Sequence, residues 1–131
     1  MAKFLIIFAA LNGALATGLA AVASHYPSLQ GQLYLLDIFS KANSQHFVHT
    51  LACLVTALTA YFTQQRSWLV ASCLFALGIT LFSYTLYLFA FTGAKIAGFL
   101  TPLGGVCFIL GWLSIGIAAW RLNKLTQFSE K

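Results

Sequence analysis

Residues 4–24 read FLIIFAALNGALATGLAAVAS, a run without a charged side chain. Its last residues, Ala21-Val-Ala23, have the small side chains that a signal peptidase accepts, so the run is either a signal peptide or a membrane helix. The apolar region of a signal peptide has about 7 to 15 residues. A helix that crosses a ~30 Å hydrocarbon core needs about 20. The length of the run therefore favours a retained transmembrane helix.

The rest of the chain has the same character. Of its 131 residues, 60% are hydrophobic and 7% are charged, whereas soluble domains carry about 25% charged residues. Apolar runs lie at 4–24, 47–62, 68–91 and 100–120, and they lack the short in–out alternation of a membrane β-barrel. We therefore predict an all-α fold, a four-helix transmembrane bundle that forms a single integral membrane domain over residues 1–131.

The connection between the first two runs predicts one further element. Asp37 and Lys41 are spaced to form an ion pair across one helical turn. Apolar residues recur there at helical spacing: Leu29, Leu33, Leu36 and Phe39. This pattern predicts a short amphipathic interface helix between the first and second spans.

Basic residues are scattered singly at the ends of the runs, which is typical of membrane topology and does not indicate a nucleic-acid partner. With four spans, one face carries Lys3, Arg66, Arg121, Lys124 and Lys131, and the other carries Lys41 and Lys95. This asymmetry predicts cytoplasmic termini in a bacterial inner membrane or an equivalent organellar membrane. The expected partners are membrane lipids and other membrane proteins, or a second copy of the chain.

Small residues predict close helix packing. In the first run Ala9, Gly13, Thr17 and Ala21 recur every four positions, with Gly18 beside them, and predict a ridge against another helix. Asn12, near the middle of this run, is expected to hydrogen-bond a neighbouring helix. The fourth run adds the packing positions Pro102, Gly104, Gly105 and Gly111. The three cysteines, Cys53, Cys73 and Cys107, fit apolar packing and imply no disulfide.

Histidines mark the candidate site. His46 and His49 are three residues apart and share a helix face, which continues through Cys53, Thr56 and Ala60. The third run carries a polar stripe of its own: Thr80, Ser83, Tyr84 and Tyr87. His25 ends the first run. Because these residues fall in the outer halves of the predicted spans, we expect His25, His46, His49, Ser83 and Tyr87 to converge at the outer face.

Four segments carry a resemblance to a known family. In order along nearly the whole chain they are AVASH (21–25), FSKANSQHFVH (39–49), GITLFSYTLY (78–87) and TPLGG (101–105) with GW (111–112). They resemble the small four-span family that includes human transmembrane protein 256 and the bacterial domain-of-unknown-function family 423. Asn43 lies in the second segment and joins the candidate site residues. The resemblance implies a four-helix membrane protein without an established biochemical activity.

Three functions remain open at this point. The first is a structural or accessory membrane subunit whose histidines are hydrogen-bonded. The second is a metal or haem site on His25, His46 and His49, since histidine is the commonest ligand of zinc and copper. The third is a pocket for a lipid, quinone or other amphiphile, lined by Tyr84, Tyr87 and Trp112. The sequence predicts no enzyme, because it offers no nucleophile–base–carboxylate set, and it identifies no particular cofactor.

Overall fold

The computed structural model describes residues 1–95 and 98–129. The helices are α1 (Ala2–His25), α2 (Pro27–Gln30), α3 (Leu33–Thr63), α4 (Arg66–Gly78), α5 (Tyr84–Thr92) and α6 (Leu100–Ser129). A π-helical turn, Ile79–Ser83, joins α4 to α5. Within these described residues, four stretches are long and apolar enough to cross a membrane: Ala2–His25, Leu33–Thr63, Arg66–Thr92 and Leu100–Arg121. The predicted all-α, four-span fold is confirmed.

The spans run antiparallel, as their short connections require. Lys3 of α1 lies over the Tyr61 ring near the end of α3, and Asn12 meets His46 of α3. The third span packs antiparallel to α6, because Thr85 bonds Thr101 and Trp68 lies near Ala118. We call the end with the 25–33 connection and the start of α6 the loop end. The opposite end, with Met1 and the 63–66 turn, is the terminal end.

The second span differs from its prediction. The predicted span began at residue 47, yet α3 begins at Leu33 and continues without a break to Thr63. The expected interface helix is therefore the first part of α3, preceded by the single turn α2. Its buried residues also differ: Leu33 and Leu36 are not buried, whereas Leu35, Ile38, Phe39 and Ala42 are. They pack against Tyr87 and Ala90 of α5, so this segment faces protein as well as the interface.

Glycines set the distance between the third span and α6. A Cβ atom added to Gly104 would lie 2.5 Å from the Phe82 backbone nitrogen, and one added to Gly111 would lie 2.6 Å from the Phe75 ring. A Cβ atom added to Gly78, which the sequence prediction did not include, would lie 2.4 Å from the Phe108 ring. We call these three glycines the glycine seam. Pro102 fits the first turn of α6, where a helix does not need its backbone N–H.

The predicted ridge on α1 is wrong. Thr17 and Ala21 are exposed, a Cβ on Gly18 would meet nothing within 4 Å, and one on Gly13 would make an ordinary 3.8 Å contact with Thr50. The face of α1 that packs on the bundle instead carries Leu5, Ala9, Asn12, Ala16 and Ala23. Helical spacing of small residues was present on both faces, and the polar side chain of Asn12 decides which one turns inward. Gly105 likewise makes only ordinary contact, at 3.8 Å from Phe82.

The predicted ion pair and the predicted free cysteines are confirmed, whereas the predicted orientation rests partly on a residue outside the described ones. Lys41 Nζ lies 2.6 Å from Asp37 Oδ2. Cys53, Cys73 and Cys107 are free thiols. Lys131, which contributed to the predicted orientation, lies outside the described residues.

Candidate functional site

Asn12 is the centre of a buried polar cluster between three spans. Its side-chain nitrogen donates to the Phe8 carbonyl of its own helix at 2.9 Å, which directs the side-chain oxygen toward the neighbouring helices. That oxygen accepts a hydrogen bond from the Tyr84 hydroxyl at 2.6 Å and one from His46 Nε2 at 2.8 Å. Asn12 therefore ties α1 to both α3 and α5, as expected of a polar residue in mid-span.

His46 extends the cluster toward the loop end. Its side chain is fully buried, and Nδ1 lies 3.1 Å from the Tyr87 hydroxyl. The same hydroxyl lies 2.8 Å from Asn43 Oδ1. Asn43, Tyr87, His46, Asn12 and Tyr84 thus form one continuous chain, which we call the His46 network.

Counting protons shows that the His46 network can be satisfied with a neutral imidazole. The Asn12 oxygen can only accept, so His46 Nε2 must carry a hydrogen, and a neutral ring then has a lone pair on Nδ1. Tyr87 has one hydroxyl hydrogen and two acceptors beside it, Nδ1 and the Asn43 oxygen. A half-turn of the Asn43 amide, which exchanges its oxygen and nitrogen, lets Asn43 donate to Tyr87 and Tyr87 donate to Nδ1. Every ring nitrogen is then satisfied without a positive charge.

His49 belongs to a second contact, between α3 and α6. Its Nδ1–H donates to the Gln45 carbonyl at 2.8 Å, and its Nε2 accepts from Trp112 Nε1–H at 3.2 Å. The ring stacks on Phe108 with 3.5 Å between centroids and 6° between planes. Both nitrogens of His49 are therefore engaged, and its ring fills the space between the two spans.

His25 does not join the other histidines. It is exposed at the end of α1, and the thirteen helical steps from Asn12 to His25 cover about 20 Å at 1.5 Å per residue. His46, in contrast, touches Asn12. His46 and Tyr87 meet as predicted, but His25 does not join them, because α3 begins fourteen residues earlier than expected and places His46 deep in the span. Among residues 1–95 and 98–129, no group of three or more His, Cys, Asp or Glu side chains is placed to hold a metal.

The remaining predicted polar residues have different surroundings. Ser83 is fully buried, yet its hydroxyl has no hydrogen-bond partner among the described residues, and the same is true of Thr50. Thr80 is exposed and donates to the Ala76 carbonyl of its own helix. Tyr84 and Tyr87 belong to the His46 network, where their hydroxyls bond Asn12 and Asn43.

Sequence reasoning missed Ser72. Its hydroxyl donates to the Cys53 carbonyl at 3.0 Å and lies 3.3 Å from the Cys53 thiol, and it joins α4 to α3. The signal was present in the sequence, since Ser72 is a small polar residue inside an apolar run, as Asn12 is. Cys53 packs there as a buried thiol, in agreement with its prediction.

The two contacts of His49 can be separated by substitution. His49→Ala is expected to lower the free energy of unfolding by about 1 to 3 kcal/mol, because it removes the stacked ring and strands the Trp112 N–H. Trp112→Phe keeps an aromatic ring and removes one interhelical hydrogen bond, worth about 0.6 kcal/mol in a membrane protein. Unfolding of both variants in detergent measures the difference, and an equal loss in the two would contradict a packing role for the imidazole.

Comparison with known proteins finds relatives in one family of membrane proteins. A family model described as "Protein of unknown function (DUF423)" matches residues 19–105. The UPF0382 membrane protein YwdK of Bacillus subtilis is 38% identical over 120 residues, which cover 89% of this chain and 96% of that protein. The UPF0382 inner membrane protein YgdD of Escherichia coli is 36% identical over 126 residues, 93% of each chain. No solved structure matches the chain.

Proposed function

Since the chain belongs to the DUF423 family, whose relatives are named as membrane proteins, we propose that it is a structural or accessory membrane subunit and not an enzyme. The observation that supports this role is that the buried histidines form hydrogen bonds within the bundle. Both ring nitrogens of His46 and His49 are engaged by groups of the bundle itself. Groups that hold helices together are not free to bind a metal or to transfer a proton to a substrate. The similarity to human transmembrane protein 256 stays a prediction.

An accessory subunit would meet its partners through the lipid-facing surface. That surface is apolar on the two outer helices, with large exposed side chains on α1, such as Phe4 and Leu11, and on α6, such as Ile109 and Trp120. Another membrane protein or a second copy of the chain would pack there in the plane of the membrane. The polar cluster would then serve by keeping the four spans in one arrangement.

Purification after cross-linking in native membranes tests this role. We expect a second membrane protein, or a second copy, to be recovered in near-equal amount, and the purified chain to carry no stoichiometric metal or chromophore by elemental analysis and absorption. Recovery of the chain alone, with one metal or haem per chain that is lost in His46→Ala and His49→Ala, would overturn the proposal in favour of a ligand site.

A second candidate function is the binding of an amphiphile, and one groove favours it. The groove lies between α3 and α6, has a volume of about 420 Å³, and is lined by apolar side chains that include Leu51, Val55 and Ile115. Trp68 also lines it, and the buried indole N–H of Trp68 has no partner among the described residues. A quinone or lipid carbonyl would supply the missing acceptor. Organic extraction of the purified protein, followed by mass spectrometry, would identify such a molecule.

The proposed orientation has cytoplasmic termini, supported by the basic residues near the terminal end, Lys3, Arg66 and Arg121, against Lys41 and Lys95 near the loop end. Alkaline phosphatase is active only outside the cytoplasm. We expect it to be inactive when fused after Lys131 and active when inserted after Gly31. The opposite pattern would place the loop end, with Asp37 and Lys41, in the cytoplasm.

A further inference from the structure

A groove at the loop end combines an apolar interior with a positive charge. It has a volume of about 380 Å³ and lies between the first turns of α3, the end of α5 and the start of α6. Its walls include Ile38, Leu86 and Phe89, and Lys95 lies at its edge. Pockets of this size, mostly apolar with a few polar groups, are typical of sites for small ligands.

Lys95 lacks an acidic partner in the described part of the chain. The sequence has two acidic residues, Asp37 and Glu130. Asp37 is paired with Lys41 at 2.6 Å, and Glu130 lies outside the described residues. Lys95 instead contacts an aromatic face, since its Nζ lies 5.4 Å from the centroid of the Phe89 ring. The groove therefore presents one uncompensated positive charge beside an apolar wall.

Two threonine hydroxyls also line the groove, and they are less polar than the Lys95 ammonium. The hydroxyls of Thr85 and Thr101 lie 2.8 Å apart and join α5 to α6, and both residues line the groove. Thr85 also donates toward the Leu81 carbonyl at 2.8 Å, so this pair is largely satisfied within the protein. The groove thus offers a charge at its edge, an apolar wall and few free hydrogen-bond donors inside.

These features match an amphiphile with an anionic head and a hydrocarbon tail. Lys95 follows Thr92, the last residue of α5, by three positions. Because the third span ends there, we expect the Lys95 ammonium at the depth of lipid phosphates. Basic pockets between transmembrane helices attract anionic headgroups. We propose that the groove holds one anionic phospholipid, with its phosphate at Lys95 and an acyl chain along Ile38, Leu86 and Phe89. This site is independent of the accessory role proposed above.

Native mass spectrometry of the purified protein with equal amounts of phosphatidylglycerol and phosphatidylcholine tests the site. Both headgroups contain a phosphate, but only phosphatidylglycerol has a net negative charge. We therefore expect the wild type to retain one phosphatidylglycerol in about five-fold preference, the effect of about 1 kcal/mol for one lysine beside an anionic lipid. Lys95→Gln should abolish the preference, and Lys95→Arg should keep it. Lys3→Gln is the matched control, because Lys3 also lies over an aromatic ring, 5.8 Å from the Tyr61 centroid, but at the terminal end.

The acyl chain is tested separately from the charge. Leu86→Trp fills the groove and should reduce retention of both lipids, while folding is checked by the thermal midpoint. Glycerol phosphate, a headgroup without a tail, should not compete. The proposal is overturned if the preference survives Lys95→Gln, if Lys3→Gln removes it equally, or if glycerol phosphate displaces the lipid. Partner recovery after cross-linking is a different measurement, so failure of the lipid site leaves the accessory role to its own test.

Discussion

Gly104→Ala is expected to destabilise the protein by about 1 to 3 kcal/mol or more, the usual cost of adding a methylene to a closely packed contact. The new Cβ would lie 2.5 Å from the Phe82 backbone nitrogen and 2.9 Å from the Leu81 carbonyl carbon. Backbone atoms of the third span cannot rotate away as the end of a side chain can. The two helices must therefore separate along the glycine seam, which loosens their other contacts as well.

The neighbouring glycine supplies a matched control. A Cβ on Gly105 would lie 3.8 Å from the Phe82 ring, an ordinary contact, so Gly105→Ala should be neutral or slightly stabilising in the helix. The measurement is the thermal midpoint of each variant in the same detergent. If the two alanine variants had the same midpoint, α6 would not pack on the third span through Gly104.

His46→Ala is the second substitution with a large expected effect. It removes a fully buried ring and leaves Tyr87 and the Asn12 oxygen each without one partner. A cavity of this kind and the stranded groups together cost about 2 to 4 kcal/mol. His25→Ala is the control, because His25 is exposed at the end of α1 and surface substitutions usually change stability by less than about 0.5 kcal/mol.

Chemical unfolding in mixed micelles measures both histidine variants. Tyr87→Phe adds a partial case, since it keeps the ring and removes the hydroxyl that lies between His46 and Asn43. We expect its effect to fall between those of His25→Ala and His46→Ala. A His46→Ala protein as stable as the wild type would mean that the His46 network does not hold the spans together.

The number of spans could be predicted from the sequence, because apolar length alone determines it. The start of the second span could not. Asp37, Lys41 and Asn43 lower the hydropathy of the segment before His46, so the apolar run begins late. In the structure one face of this segment packs on α5 while its charged pair, Lys41 and Asp37, remains exposed. Hydropathy averages both faces and therefore misses the helix that continues through them.

The predicted depth of the candidate site in the membrane depended on where the second span begins. Once α3 begins at Leu33, His46 lies in mid-span and His25 lies about a helix half-length away. The identities of the interacting residues were more predictable than their depth. Asn12 was expected to bond a neighbouring helix and does so, because an amide in a hydrocarbon layer must find a partner. Which of two small-residue faces packs, on α1, depends on that bond and not on spacing.

The π-helical turn at Ile79–Ser83 also determines how the side chains of α5 are rotated about the helix axis relative to those of α4. Such a turn accommodates one residue more than an α-helical turn, and each added residue rotates the downstream part of the helix by about 100°. Ser72, before the turn, bonds α3, while Tyr84, after it, reaches Asn12 on α1. If residues 79–83 kept their sequence but adopted α-helical hydrogen bonds, the downstream helix would rotate and Tyr84 and Tyr87 would turn away from their partners. The backbone hydrogen bonding of this short segment therefore determines which face of the third span carries the two tyrosines.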